Sequence, residues 1–166
     1  MDSSTFFIVG ANGQLGTALR AAYPNARFAD VTELDITNAD SVNNFNWTDI
    51  THIFNAAAYT NVDGAETTEG RVASWKVNAS AAANLALVCK ERDMTLIHVS
   101  SDYVFDGTIS PHLEDEIFSP LSVYGASKAA GDLAVSILPK HYLLRTTWVI
   151  GEGKNFVRTM LDLAAR

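Results

Sequence analysis

The stretch Phe6-Phe7-Ile8-Val9-Gly10-Ala11-Asn12-Gly13-Gln14-Leu15-Gly16 decides the fold. Its first four residues are apolar β-formers that end at a glycine, a pattern typical of a short strand buried on both faces. The glycine turn leads into residues 17–23, which we predict to be a helix that ends before Pro24. Strand, glycine turn and helix in this order predict the start of a parallel α/β sheet.

The same alternation continues along the chain. We predict further strands at residues 27–29, 52–54, 95–100 and 142–146, and polar loops at residues 59–70 and 101–120. The predicted helices run from a cap at Thr37 or Asn38 to Phe45, from about residue 77 to 92, from about 123 to 138, and from 156 to 165. Because each parallel connection needs a crossover, we predict an α/β fold, a doubly wound parallel sheet of Rossmann type with at least five strands.

The bulk properties exclude several classes of function. The chain has 166 residues, a formal charge of −7 and a pI near 4.9. This acidity argues against nucleic acid and anionic membrane as partners, because their phosphates would be repelled. No stretch is long enough for a signal or spanning helix, so we expect a cytoplasmic protein. The single cysteine, Cys89, is expected to pack in a helix, and the four histidines lack ligand spacing, so no metal is expected.

The glycine turn is the first candidate binding site. Gly10 permits a tight turn, Gly13 lets backbone N–H groups approach a pyrophosphate, and Gly16 allows close packing of the helix. The spacing is one residue longer than the usual dinucleotide fingerprint. Its position after a buried strand favours nucleotide binding, with an ordinary glycine-rich turn as the alternative.

Two aspartates follow at distances that suit a dinucleotide. Asp30 ends the second predicted strand, where a carboxylate can bind a ribose 2′-OH and repel a 2′-phosphate. With Val31 beside it, this favours NADH over NADPH, although Arg27 is close enough in sequence to leave NADPH open, and a solvated turn is the alternative. Asp35 could contact the adenine end or cap a helix.

Tyr124 and Lys128 form the candidate catalytic pair. Four residues apart on a predicted helix, they share one face, so we expect Lys128 to lower the pKa of the Tyr124 phenol and make it a usable proton donor. A plain surface contact is the alternative. We predict that the core stripe of this helix lies opposite that face and leaves it free for a ligand; the stripe comprises Ala130, Leu133, Ala134 and Ile137.

Five stretches together amount to a family resemblance: residues 10–16, 55–58, 100–107, 124–128 and 145–149. They resemble the extended short-chain dehydrogenase/reductases and, within them, the dTDP-4-dehydrorhamnose reductase family. Ser-Asp-Tyr-Val-Phe-Asp-Gly, which ends at Gly107, is the most specific part. The resemblance implies reduction of the C4 keto group of a 4-keto-6-deoxysugar nucleotide by NADPH or NADH.

The resemblance also implies roles for individual residues. Tyr124 would protonate the substrate oxygen, Lys128 would tune Tyr124 and hold the nicotinamide ribose, and Ser101 would bind the carbonyl where many relatives appear to carry threonine. Asn78 resembles an asparagine near the active site, with a helix-surface residue as the alternative. The sugar pocket would include Asp102, Tyr103, Trp148 and Asn155, and the cofactor would contact Gly10, Asn12, Gly13, Gln14, Leu15, Gly16, Asp30, Asp35, Ile36, Ala56, Ala57, Ala58, Tyr124 and Lys128.

The same resemblance implies that residues 1–166 form a dinucleotide-binding domain and that a C-terminal substrate-binding region is absent. We therefore expect weak or moderate cofactor binding and poor turnover. The expected partner is a nucleotide sugar, and a homodimer is a further expectation. Two alternatives stay open: a non-catalytic regulatory subunit like that of methionine adenosyltransferase, and a sugar-nucleotide epimerase or dehydratase.

Overall fold

Five parallel strands form a single sheet in the computed structural model, which describes residues 2–151 and 155–165. Their order in the sheet is β2-β1-β3-β4-β5, and every pairing is parallel. The predicted doubly wound sheet is therefore confirmed. The strands are β1 (Phe6–Val9), β2 (Arg27–Ala29), β3 (His52–Asn55), β4 (Thr95–Ser101) and β5 (His141–Thr146).

Helices connect the strands and cover both faces of the sheet. Some predicted boundaries are wrong: the first helix starts at Gln14 instead of residue 17, and the helix that we predicted from about residue 77 starts at Ala81. The polar loop that we placed at residues 59–70 ends earlier, because the Thr67 side chain accepts a hydrogen bond from the Gly70 N–H and starts a helix at Thr68. A π-helical turn, Lys76–Ser80, joins this helix to the next. The helices are α1 (Gln14–Ala22), α2 (Ala39–Asn44), α3 (Thr68–Trp75), α4 (Ala81–Glu91), α5 (Val123–Ser136) and α6 (Phe156–Ala164).

The core lies on both sides of β1, as the apolar sequence of that strand predicts. Phe7 and Val9 belong to the larger cluster, which includes residues of α4 and the end of α5. Phe6 and Ile8 belong to a smaller cluster with Tyr23 beyond the end of α1. In the larger cluster Cys89 is fully buried, and burial raises the pKa of its thiol to about 12, so the predicted packing role is confirmed.

The order of the strands places a crevice at the carboxyl end of the sheet. From β1 the chain crosses to β2 on one side and then to β3 on the other, so the winding direction reverses between β1 and β3. In open α/β sheets ligands bind at such a switch point. Val9 is paired with Asn55 there, so the residues that follow each of them lie side by side.

The buried face of α5 differs from the predicted one. Leu133 and Ile137, which we placed in the core, are 57% and 71% exposed, and the other two members of the stripe, Ala130 and Ala134, are only partly buried. The buried face instead carries Tyr124, Gly125, Ser127, Lys128, Ala129, Gly131, Asp132 and Val135. Its small residues allow close packing: a Cβ on Gly131 would lie 2.2 Å from the Asn78 carbonyl oxygen. Close approach to neighbouring elements, rather than apolar character, determines which face is buried.

No helix among residues 2–151 and 155–165 is long and apolar enough to cross a membrane.

Candidate functional site

A cleft of about 790 Å³ opens at the carboxyl end of the sheet, over the switch point. It brings together most of the residues that the sequence singled out. Asn12, Gly16 and Asn78 do not line it. The predicted residues that line it are Gly10, Gly13, Gln14, Leu15, Asp30, Asp35, Ile36, Ala56, Ala57, Ala58, Ser101, Asp102, Tyr103, Tyr124, Lys128, Trp148 and Asn155.

The glycine turn packs tightly against its surroundings. Gly10 has φ +74°, and a Cβ there would lie 2.6 Å from the Ala57 backbone nitrogen. The turn after β1 therefore touches the segment after β3 directly. Gly16 lies on the first turn of α1, where a Cβ would come 2.1 Å from the Gly10 carbonyl oxygen. Gly16 thus shapes the turn from behind, without facing the cleft.

The N-terminus of α1 suits an anion. Its N-cap is Gly13, which has no side chain to bond the first helical N–H groups, whereas side chains cap α2, α3, α5 and α6. Residues 13–15 line the cleft. Uncapped N–H groups and the positive end of the helix dipole favour a phosphate in a protein whose net charge is negative. This part of the cleft therefore fits the pyrophosphate of a dinucleotide.

Asp30 joins β2 to the glycine turn. One carboxylate oxygen accepts the Asn12 N–H at 2.9 Å, and the other accepts the Val31 N–H at 2.8 Å. Each oxygen retains lone pairs that can accept a ribose hydroxyl. Arg27, the cation that left NADPH open, is turned away: its guanidinium donates to the carbonyl oxygens of Asn46 and Thr48.

Asp35 lines the cleft but caps no helix. Its carboxylate accepts hydrogen bonds from the N–H and the hydroxyl of Thr37, at 2.9 and 2.6 Å. The hydroxyl of Thr37 contributes most to holding the pKa of Asp35 below its usual value. Asn38, one of the two caps that we predicted, begins α2 by accepting the N–H groups of Asp40 and Ser41.

Tyr124 and Lys128 lie on the inner face of α5 and both reach the cleft. Tyr124 is only 8% exposed and Lys128 only 2%. The Lys128 ammonium donates a hydrogen bond to the Val99 carbonyl oxygen at 2.7 Å. The ring of Tyr103 meets that of Tyr124 edge to face, with centroids 5.6 Å apart. The pair is thus held by β4 and by the turn that follows it.

The pKa values of this pair differ from the prediction. Burial raises the pKa of Tyr124, the Ser101 side chain opposes this through a hydrogen-bond interaction, and the charge of Asp102 adds to it. The prediction that the pKa of Tyr124 is lowered is therefore wrong in this structure. The ammonium is bound to the Val99 carbonyl, and the loss of water around the phenol dominates. Burial also lowers the pKa of Lys128 to about 8, with Asp132 acting against the shift.

Ser101 ends β4 beside this pair. Its hydroxyl donates to the Asp102 carboxylate at 3.1 Å and accepts the Tyr103 N–H at 3.2 Å. On the far wall of the cleft, Trp148 stacks on Phe156 with ring centroids 4.1 Å apart, and Asn155 caps α6. All six of these residues line the cleft.

Asn78 lies in the π-helical turn and is buried, so it is not a helix-surface residue. Its side chain accepts the Tyr59 N–H at 2.9 Å and donates to the Tyr59 carbonyl and to the Ser127 hydroxyl. It does not line the cleft. Asn78 therefore connects the segment after β3 to the back of α5.

Sequence reasoning missed several residues of the cleft wall. Two of them, Thr146 and Thr147, lie at the end of β5, and Thr60 and Val62 follow β3. The rule that ligands bind beyond the carboxyl ends of parallel strands could have found them. Leu34, Thr37, Val77 and Val99 carried no comparable signal.

Within the described residues no group of three or more histidine, cysteine, aspartate or glutamate side chains could hold a metal ion.

The sequence model of one protein family, described as the RmlD substrate binding domain, matches residues 4–166. The chain belongs to this family. A dTDP-4-dehydrorhamnose reductase of Aggregatibacter actinomycetemcomitans is 45% identical over 168 residues, which is 95% of this chain and 56% of that protein. The chain thus spans little more than half the length of this relative.

Solved structures of other proteins support the same family membership. A dTDP-4-dehydrorhamnose reductase of Clostridium acetobutylicum superposes with a TM-score of 0.87 at 38% identity. The reductase of Bacillus anthracis in complex with NADP gives 0.87 at 35%. Each match covers 96% of this chain and 59% of the other. None of these three relatives is a regulatory subunit, an epimerase or a dehydratase, so both alternatives gain no support.

Proposed function

We propose that the chain is the cofactor-binding part of an NAD(P)H-dependent reductase that reduces the C4 keto group of dTDP-4-dehydro-L-rhamnose to give dTDP-L-rhamnose. One observation carries the proposal: the uncapped N-terminus of α1 and the side chains of Ser101, Tyr124 and Lys128 open into a single cleft. The names of the relatives supply the substrate. The coverage of those relatives supports residues 1–166 as one domain of a longer enzyme.

The bound dihydronicotinamide would supply the hydride, and the chain would supply the proton and the positioning. Tyr124 would donate its phenolic proton to the C4 oxygen as negative charge develops there. The phenol has an ordinary pKa of about 10, and burial raises this pKa further, so Tyr124 would be protonated at neutral pH, which is the state that a donor needs. The Ser101 hydroxyl would donate to the same oxygen, and the Lys128 ammonium would stabilise the charge that Tyr124 retains after proton transfer.

The remaining residues of the cleft would hold the two ligands. Backbone N–H groups of the first turn of α1 would bind the pyrophosphate, while the Gly13 N–H donates to the Gly10 carbonyl oxygen and closes the turn. Asp30 would accept a hydroxyl of the adenosine ribose. Asp102, Tyr103, Trp148 and Asn155 would contact the sugar nucleotide. NADPH and NADH are both proposed as cofactors, and the NADP complex of a relative gives our preference for NADH no support.

Turnover by this chain tests the proposal. With the protein in excess over dTDP-4-dehydrorhamnose, NADPH or NADH should be oxidised slowly. A Tyr124→Phe variant should lose about 100-fold or more of that rate, because a positioned general acid contributes about that much. Tyr142→Phe, which removes an exposed phenol on β5 outside the cleft, is the matched control and should retain the rate. Equal rates for wild type and Tyr124→Phe would contradict the mechanism.

Binding gives an independent measurement. Titration of the chain with NADPH and with NADH should show saturable binding of both, and loss of it in Gly13→Val, whose side chain would obstruct the pyrophosphate site. We also propose a cytoplasmic location, since nicotinamide dinucleotides are supplied there. The predicted homodimer stays a prediction that light scattering can test.

A further inference from the structure

Behind Lys128 lies a buried polar cluster that the proposed reaction does not use. Asp132 is one helical turn beyond Lys128 on the same face of α5, and its side chain is fully buried. One carboxylate oxygen accepts a hydrogen bond from Nε of Arg145 on β5 at 3.0 Å. A buried carboxylate is costly unless it is paired. Its presence beside a buried lysine therefore calls for a physical reason.

Arg145 is itself firmly held. Its guanidinium lies over the rings of Phe105 and Phe118, at 5.3 and 5.0 Å from their centroids. It also donates to the carbonyl oxygen of Glu114 at 3.3 Å. These contacts fix the position of the arginine, and the arginine in turn fixes the carboxylate of Asp132.

His98 on β4 faces the other carboxylate oxygen. Asn55 accepts the Ala57 N–H through its side-chain oxygen, so its amide nitrogen points to Nδ1 of His98 at 3.0 Å. Nδ1 is thus the acceptor and Nε2 carries the proton, an assignment made from these partners. Nε2 lies 4.0 Å from Oδ1 of Asp132, and neither atom has another partner among the described residues. Burial lowers the pKa of His98 to about 3, so the ring is neutral.

Among residues 2–151 and 155–165, few charges lie near Lys128. The Arg145 guanidinium is hydrogen-bonded to the carboxylate of Asp132. The negative charge of this carboxylate also acts on the Lys128 ammonium. The hydrogen bond of that ammonium goes to the uncharged Val99 carbonyl. Ser74 and Asn78, on α3 and the π-helical turn behind α5, are uncharged. The titratable and charged groups around the lysine are Tyr124 and Asp132 on α5, His98 on β4, Asp102 and Tyr103 after β4, and Arg145 on β5.

We propose that Asp132 is a positioning residue whose carboxylate, held by Arg145, keeps the buried Lys128 charged so that the lysine can serve the site as a cation. The use of that cation rests on the proposed reductase function, but its charge state does not. Burial lowers the pKa of Lys128, and the negative charge of Asp132 opposes this shift. The carboxylate thus acts on the reaction through the lysine, without touching a ligand.

An NMR titration of the chain labelled with ¹³C-lysine tests the proposal directly. The Lys128 side-chain signal, assigned by its loss in Lys128→Met, should titrate near pH 8 in the wild type. In Asp132→Asn the midpoint should fall by about one pH unit or more, because the opposing charge is gone. Asp132→Glu, which retains a carboxylate, should restore most of the shift.

Asp93→Asn is the control for net charge. Asp93 pairs with Lys140 at the opposite end of β4 and should leave the Lys128 midpoint in place. If Asp132→Asn does not fold, the wild type labelled with ¹³C-aspartate still decides, because the carboxyl carbon of Asp132 should show an inflection at the Lys128 midpoint. An unchanged midpoint in Asp132→Asn, or no such inflection, overturns the inference. A shifted midpoint without NADPH oxidation instead counts against the reductase function alone.

Discussion

The glycine turn after β1 and the inner face of α5 meet in one cleft, but they present different kinds of chemical group to it. The turn offers backbone N–H groups, with Gly13 as an N-cap without a side chain and Gly16 pressed against Gly10. The α5 face offers buried side chains, including a lysine that is 2% exposed. The comparison teaches that spacing in the sequence reveals a backbone site directly, whereas the properties of a buried side chain depend on distant strands.

The largest effect should come from the turn. Gly16→Ala would place a Cβ 2.1 Å from the Gly10 carbonyl oxygen, so we expect it to cost about 3 kcal/mol of the unfolding free energy. Urea unfolding measures this. Gly13→Ala is the matched control from the same turn: its Cβ would be 3.3 Å from the same oxygen, and the cost should be about 1 kcal/mol. Equal costs would contradict the assignment of Gly16 to packing and of Gly13 to ligand binding.

The second prediction separates the two faces of α5. Val135 is fully buried in the larger core cluster, so Val135→Ala should cost about 2 kcal/mol through the lost methyl groups and the cavity that they leave. Leu133→Ala, two residues earlier on the exposed face, should change stability by less than about 0.5 kcal/mol. Thermal or urea unfolding of both variants checks this. A larger cost for Leu133→Ala than for Val135→Ala would instead support the buried face that the apolar pattern predicts.

The third prediction concerns the dependence of stability on pH, and its expected effect per pH unit is the smallest of the three. The pKa of Lys128 is about 8 in the folded protein and 10.5 in its ordinary state, so between these values the unfolded chain binds more protons. The unfolding free energy of the wild type should therefore rise with pH relative to Lys128→Met, by at most about 1.4 kcal/mol per pH unit. Urea unfolding from about pH 7.5 to 9.5 measures the slope. Lys140→Met controls for the loss of one lysine, and a flat difference for Lys128→Met would refute the low pKa.

The sequence predicted all five strands and most of the cleft, for physical reasons. Short apolar runs that end at a glycine or an aspartate have few other uses than buried parallel strands, as Phe6–Val9 shows. The ends of such strands must lie together, which explains why Gly10, Ala57 and Ser101 meet as expected.

The errors arose where packing opposes the apolar pattern. On α5 the small residues Ser127 and Gly131 allow the helix to approach Asn78, so Leu133 is left outside. The raised pKa of Tyr124 depends on how much water the fold removes, which no spacing of residues reports. The Asp132–Arg145 contact joins a helix to a strand across 13 positions, and neither residue alone indicates it.

The π-helical turn of Lys76–Ser80 holds one residue more than an α-helical turn would need, and its closing bond runs from the Ala81 N–H to the Lys76 carbonyl. Such turns occur mostly as single bulges within α-helices. Removing one residue here would rotate α3 by about 100° relative to α4 and take Ser74 away from Ser127. An alignment gap at this place would therefore mark a relative with a differently supported α5, however similar its glycine turn.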